Sequence, residues 1–305
     1  MSDIDIVVAG SVAFDSVETP FGKADDVLGG SATYFSTSAS YFSKVGVVAV
    51  VGTDFPDEHI KSLEKHKIDL TGLQKVEGKT FRWKGKYEYD LNQAHTLETH
   101  LNVFQDFEPV IPESYKNAPY LFLANIDPVL QKSVLEQVSK PKLIASDTMN
   151  FWIEGKLGEL KELLKGVELL VINDGEAREL AGDANLVTAA SKILTMGPKT
   201  LIVKRGEYGA LMFNENTIFA APALPLEDIF DPTGAGDSFA GGLMGYLAKT
   251  DDLSEANIRR AIIVGSVMAS FNVESFSLDR LKSLTSEEIK HRYEEFKKLT
   301  HFEDM

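Results

Sequence analysis

The sequence has no cysteine, so disulfide bonds and cysteine-ligated zinc are excluded at the outset. Basic residues are scarce: 31 Lys and Arg stand against 46 Asp and Glu, a formal net charge of −15. So acidic a chain is repelled by nucleic-acid backbones and anionic membranes, and neither is expected as a partner. No run approaches the roughly eighteen uninterrupted apolar residues of a membrane-spanning helix. The start, Met1-Ser2-Asp3-Ile4-Asp5, is acidic and leads into a short β-branched run. A signal peptide has a basic start and a long apolar core instead, so a cytoplasmic location is expected. Gly-x-x-x-x-Gly-Lys-[Ser/Thr] and Gly-x-Gly-x-x-Gly are both missing, which leaves P-loop and Rossmann dinucleotide sites unsupported. His95 and His100 are not spaced to share one helical face, and no metal site is expected from them.

What is present is ordinary globular usage, 44% hydrophobic and 25% charged over 305 residues, enough for one large core with a small accessory element. Strand-like apolar segments at 4–9, 45–51, 120–124, 142–146, 168–172 and 200–203 alternate with helical patterns at 31–42, 57–66, 129–138, 157–164 and 176–194. A further helix is predicted over 281–296. This alternation predicts an α/β fold with a mostly parallel central sheet and helices on both faces. Ligand sites in such sheets lie at the carboxyl ends of strands, and Asp15, Asn173, Lys204 and the segment at Asp231 all follow predicted strands. Between residues 79 and 107 the alternation gives way to an aromatic-rich two-sided pattern with Phe81, Trp83, Tyr87 and Tyr89, then a turn and Leu101-Asn102-Val103-Phe104. Antiparallel strands are predicted there. The expected division is a core of residues 1–11, 24–78 and 108–305 and a small β lid of 12–23 and 79–107.

The most informative segment is Asp231-Pro232-Thr233-Gly234-Ala235-Gly236-Asp237-Ser238-Phe239, which runs into a small apolar stretch. A glycine turn opening a helix converges backbone N–H groups on one point, where the helix dipole adds positive charge. Gly234, Ala235 and Gly236 are therefore candidate donors to an anion. An acid beside a bound anion is repulsive unless it takes a proton from an attacking hydroxyl, and Asp237 is the candidate base. The plain alternative for Asp237 is a helix cap worth about 1 kcal/mol. Asn173-Asp174-Gly175-Glu176 likewise reads either as a helix start with an acidic first turn or as part of a metal site.

The nonapeptide resembles the C-terminal signature of the ribokinase-like (PfkB-type) carbohydrate kinases, which include nucleoside kinases. Gly29-Gly30, Val51-Gly52-Thr53-Asp54, Asn173-x-x-Glu176 and Lys204-x-Gly206-x-x-Gly209 resemble that family's other recurring elements in order and spacing, over nearly the whole chain. The resemblance implies an ATP-dependent, Mg²⁺-requiring kinase acting on a hydroxyl of a small sugar or polyol, with a monovalent cation as a further candidate cofactor. It makes Asp237 the general base and Asn173 and Glu176 the Mg²⁺-organising pair. Lys204, Gly206, Gly209 and Thr233 fall near the nucleotide, and residues 261–269 beside its adenine. Asp15, Gly29, Gly30, Tyr34 and Asp231 fall on the acceptor side. The lid is implied to cover the substrate and to be a candidate homodimer surface. One departure stands out: the diglycine continues as Ser31-Ala32-Thr33-Tyr34, with Tyr34 where a polar sugar ligand is usual, so ribose is not the expected acceptor. A nucleoside is the rival acceptor. A non-catalytic sugar- or nucleotide-binding regulator is the rival class, against which the presence of Asp237, Gly234 and Gly236 counts.

Overall fold

In chain order the strands are β1 (Ile6–Ala9), β2 (Ala13–Thr19), β3 (Gly22–Gly29), β4 (Val45–Gly52), β5 (Asp69–Val76), β6 (Phe81–Tyr87), β7 (Ala94–His100), β8 (Tyr120–Leu123), β9 (Leu143–Ser146), β10 (Leu169–Asn173), β11 (Thr200–Lys204), β12 (Ala210–Asn214) and β13 (Ile218–Ala221). The helices are α1 (Ser31–Ala39), α2 (Asp57–Lys65), α3 (Pro128–Gln137), α4 (Asn150–Gly155), α5 (Leu157–Leu164), α6 (Asp174–Ala181), α7 (Leu186–Leu194), α8 (Ala235–Thr250), α9 (Glu255–Asn272) and α10 (Ser286–Leu299). This computed structural model describes residues 4–301 and 303, and the acidic start at Met1-Ser2-Asp3 lies outside them. No helix among the described residues is long and apolar enough to cross a membrane.

The central sheet has the order β13-β12-β11-β10-β9-β8-β1-β4-β5. From β11 to β5 its pairings are parallel, and β12 and β13 add an antiparallel edge. Its inner strands are apolar on both sides because both faces are covered: β4 is buried over its whole length, as are β1 and β8. One core cluster joins the sheet to α1, α8 and α9 through Phe35, Phe239 and Met268. The other joins it to α5, α6 and α7 through Leu163, Leu180 and Ile193.

The small sheet has the order β3-β2-β6-β7. The structure moves its expected boundary, because β3 runs to Gly29 and residues 24–29 belong to this sheet rather than to the core. Its outer strand also differs from expectation. Residues 94–100 form β7, whereas 102–106 form a 3₁₀ helix in which Phe104 stacks between Phe81 and Phe107. Val103 and Phe104 thus pack against the core, while Leu101 is exposed, and the segment shows no strand alternation. The predicted helix at 176–194 is two helices, since Gly182 ends α6 in the left-handed conformation (φ 59°).

Candidate active site

Helix α8 sits where it does because its glycines allow close approach to α1. A Cβ at Gly241 would stand 2.3 Å from the Phe35 carbonyl oxygen and one at Gly245 3.0 Å from Ala39 Cα. The Ser38 hydroxyl also donates to the Ser238 carbonyl at 2.6 Å. This packing aims the start of α8 at the edge of the sheet where β10 and β11 end. Gly234 caps the helix in the left-handed region (φ 74°) with no side-chain cap. The ring of Tyr34 lies flat on it: a Cβ at Gly234 would be 2.3–2.4 Å from Tyr34 Cγ, Cδ1 and Cδ2. The Tyr34 hydroxyl is buried without a partner. Upstream, Asp231 is buried, and its carboxylate accepts the Thr233 N–H at 2.9 Å. The Asn272 amide in turn donates to the Thr233 carbonyl at 2.7 Å. Of the three expected anion donors, the Ala235 N–H turns back to the Pro232 carbonyl at 3.1 Å, so the turn offers Gly234 and Gly236.

Lys204, at the end of β11, reaches over this turn: a Cβ at Gly236 would be 2.7 Å from its Nζ. Its ammonium opposes, and the Glu176 carboxylate reinforces, the burial that pushes Asp237 up to about 7. Asp237 keeps part of its surface open to solvent. From the small sheet comes Asp15, the third residue of β2 and not a loop residue after β1. It is 5% exposed and lies directly over Gly29, where a Cβ would be 1.9 Å from Oδ2. Burial lifts its carboxyl to about 7 against the Gly30 N–H bond, with Asp231 and Asp237 adding to the rise. Gly30 (φ 95°) turns the chain from β3 into α1 and offers its N–H to the Asp15 carboxylate. Two lid contacts fasten this side: the Thr19 hydroxyl donates to the Phe230 carbonyl at 2.9 Å, and the Tyr87 and Thr233 hydroxyls are 3.4 Å apart.

Asn173 and Glu176 form a capping box at the start of α6, with the Asn173 N–H donating to one Glu176 oxygen and the Glu176 N–H to Asn173 Oδ1, both at 2.8 Å. The helix-start reading of this pair is therefore realised. Asp237 behaves differently, because it closes no such box on α8. The glycine loop after Lys204 turns through Gly206 (φ 53°) and Gly209 (φ 81°), the latter pressed on the Ala221 carbonyl. Residues 261–269 lie in the buried middle of α9.

One residue escaped sequence reasoning. Asp147 follows β9, is 4% exposed and has an unpartnered Oδ1. Burial, with Asp237 and Glu176 adding and Lys204 opposing, holds its carboxyl well above the usual range. An Asp just past a predicted strand of a parallel sheet was the available signal. Among the described residues no group of three or more His, Cys, Asp or Glu is arranged to hold a metal directly. The site thus gathers carboxylates from β2, from the end of β9 and from the starts of α6 and α8, one lysine and two free backbone donors.

These features agree with relationships across the whole chain. A cytidine kinase of Thermococcus kodakarensis is 32% identical over 259 residues, covering 83% of this chain and 91% of the relative. Among solved structures, a nucleoside kinase of Methanocaldococcus jannaschii superposes with a TM-score of 0.78 at 18% identity, over 97% of this chain and 100% of that one. A ribokinase II of E. coli in complex with ATP and Mg²⁺ does so with a TM-score of 0.78 at 18% identity, over 96% and 99%. Residues 17–283 match the model of the pfkB family carbohydrate kinases, and with the turn at Gly234 and the ribokinase-like sheet in place the chain belongs to that family of phosphotransferases.

Proposed function

We propose that this kinase transfers the terminal phosphoryl group of ATP to a ribose hydroxyl of a nucleoside. The observation that carries the reading is the convergence of Asp15 and Asp237, two carboxylates held near 7, on either side of a turn with free N–H donors and a lysine above it. Phosphoryl transfer passes through a loose transition state, so positioning and charge stabilisation matter most. Asp237 orients the acceptor hydroxyl and takes its proton late. The N–H groups of Gly234 and Gly236 and the Lys204 ammonium stabilise negative charge on the transferred group. Asp15 accepts hydrogen bonds from acceptor hydroxyls. Thr233, Gly206 and Gly209 shape the nucleotide side.

The expectation of a free sugar gives way to a nucleoside on two grounds. The relative of highest identity given above is a cytidine kinase, matched over most of both chains. Tyr34 also replaces the usual polar sugar ligand and spends its ring on Gly234. The test is a parallel assay of nucleosides and sugars with ATP. Cytidine, adenosine or inosine is expected to exceed every sugar by about a hundredfold in kcat/KM. A sugar that exceeds every nucleoside overturns the acceptor and leaves the role of Asp237 intact.

The residues present fit a hydrated magnesium ion, which keeps several waters and takes few protein oxygens. One Glu176 oxygen and Asn173 Oδ1 are committed to the capping box, while the second Glu176 oxygen and the orphaned Asp147 Oδ1 remain to hold water-bound Mg²⁺. The ion supplies charge neutralisation to the polyphosphate. Glu176→Gln is expected to raise the Mg²⁺ concentration for half-maximal rate severalfold. Gln also completes a capping box, so the fold is kept. An unchanged Mg²⁺ titration would return Glu176 to a purely helix-capping role.

A further inference from the structure

The small sheet carries four aromatic residues that alternation assigns to one face, and the structure gives them different fates. Phe81 stacks on Phe104 at 5.3 Å between ring centres and belongs to the packing beneath the sheet. Tyr87 is buried against Thr233, and Tyr89 lies past the end of β6 in solvent. Trp83 is partly open, as Phe81 is, but no other aromatic ring among the described residues stacks on it. Its indole folds back along its own strand onto Gly85, where a Cβ would be 2.1 Å from Cη2 and 2.3 Å from Cζ2. Only a residue without a side chain allows the ring to lie flat there. The indole N–H donates to the Thr96 hydroxyl of β7 at 3.1 Å, which fixes the rotation of the ring.

The position of this ring carries the argument. In the parallel pair of β2 and β6, Trp83 stands beside Asp15, so the two side chains share a face. It is the face toward the active-site turn, since Thr19 and Tyr87 project from it to Phe230 and Thr233. Neighbouring strands are about 4.8 Å apart. The indole, folded onto Gly85, stands one strand over and two residues along from Asp15, beside Val17. With about 3.3 Å of rise per residue the ring and the carboxylate are roughly 8 Å apart, the span from the ribose hydroxyls of a nucleoside to the far part of its base. A group whose hydroxyls meet Asp15 therefore carries its other end to the indole. A core-filling tryptophan would be buried, and a free surface tryptophan would be anchored neither by a glycine nor by a hydrogen bond.

We infer that Trp83 is the stacking platform for the base of a nucleoside acceptor, with Gly85 and Thr96 as the residues that hold the platform flat. This rests on the nucleoside reading above and adds to it the residue that distinguishes a nucleoside from a free sugar. Every base has a π-face, so the platform confers preference for nucleosides as a class, and base identity is left to edge contacts.

The chain contains two tryptophans, so a Trp152→Phe background leaves Trp83 as the sole indole emitter. Cytidine is expected to quench that emission, and ribose is not. By calorimetry, Trp83→Ala is expected to weaken cytidine binding by about ten- to a hundredfold, the range of one base–aromatic stack. Trp83→Phe should recover most of it, and Gly85→Ala should reproduce the loss while keeping the tryptophan. If cytidine is phosphorylated yet Trp83→Ala and Gly85→Ala bind it within about twofold of the parent, the platform is refuted and the nucleoside reading stands. If only sugars are phosphorylated, the nucleoside reading falls and the platform with it.

Discussion

Asp237→Asn lowers turnover by at least about a hundredfold, the loss expected when a general base is removed, while acceptor affinity changes little. The substitution keeps size and shape and removes only the capacity to take a proton. Asp237 closes no capping box on α8, and loss of its charge from the first turn costs at most about 1 kcal/mol of helix stability, too little to account for such a loss of turnover. The pH profile supplies an independent check. The ionised carboxylate is the form that works, and burial holds the Asp237 carboxyl at about 7, so the rate is present above that value and lost as pH falls through it. The parent enzyme is expected to lose about tenfold in kcat/KM per unit of pH on the acid side of this midpoint, with Asp15, also near 7, steepening the fall. Near-parent turnover in the Asn variant would remove Asp237 from the role of base, whereas an acid limb centred at the ordinary carboxylate value of about 4 would overturn only the raised pKa.

Gly234→Ala is expected to lower kcat by about a hundred- to a thousandfold, the cost of losing one donor of a preorganised anion site. Two features make a single methyl group so damaging. The residue has a φ of 74°, a region that disfavours any side chain. Its Cβ would also collide with the Tyr34 ring at 2.3–2.4 Å, and that ring is rigidly buried in α1. Relief requires the turn to shift, which moves the Gly234 and Gly236 N–H groups off the phosphoryl position. Nucleotide binding, which uses other contacts as well, is expected to fall less than kcat. Pairing the change with Tyr34→Ala, which removes the obstructing ring, separates the two causes. If Gly234→Ala retains turnover within about fivefold of the parent, the turn is not the anion site.

Much of this was legible in the chain itself, and the reasons differ from residue to residue. The inner strands β1, β4, β8, β10 and β11 are apolar runs, rich in β-branched residues in all but the aromatic and leucine strand β8, and being buried on both faces they carry a strong apolar signal. The segment from Asp231 to Asp237 was readable through its resemblance to a family signature, since its residues taken alone also read as a glycine turn with a capping acid. Where local pattern misled, packing had the final say. Residues 101–104 look like a strand, yet Phe104 is drawn between Phe81 and Phe107 and the backbone coils into a 3₁₀ turn. Residues 24–29 read as part of the core, but β3 pairs with β2 across most of its length. Asp147 gave almost no signal, because a lone Asp after a strand is common and only its neighbours make it unusual.

The sequence by itself determined the order of elements, the glycine turn and the identity of the acid beside it, because backbone conformation and charge are local properties. Only the tertiary structure decided which groups share a site. Asp15 and Asp237 lie more than two hundred positions apart, and they influence each other because α8 packs glycine to backbone against α1. The rise of both carboxyls toward 7 comes first from desolvation, a quantity that exists only once the chain has closed around them. The flat placement of Trp83 on Gly85 beside Asp15 is of the same kind: the residues can be read in the sequence, and strand register makes them neighbours.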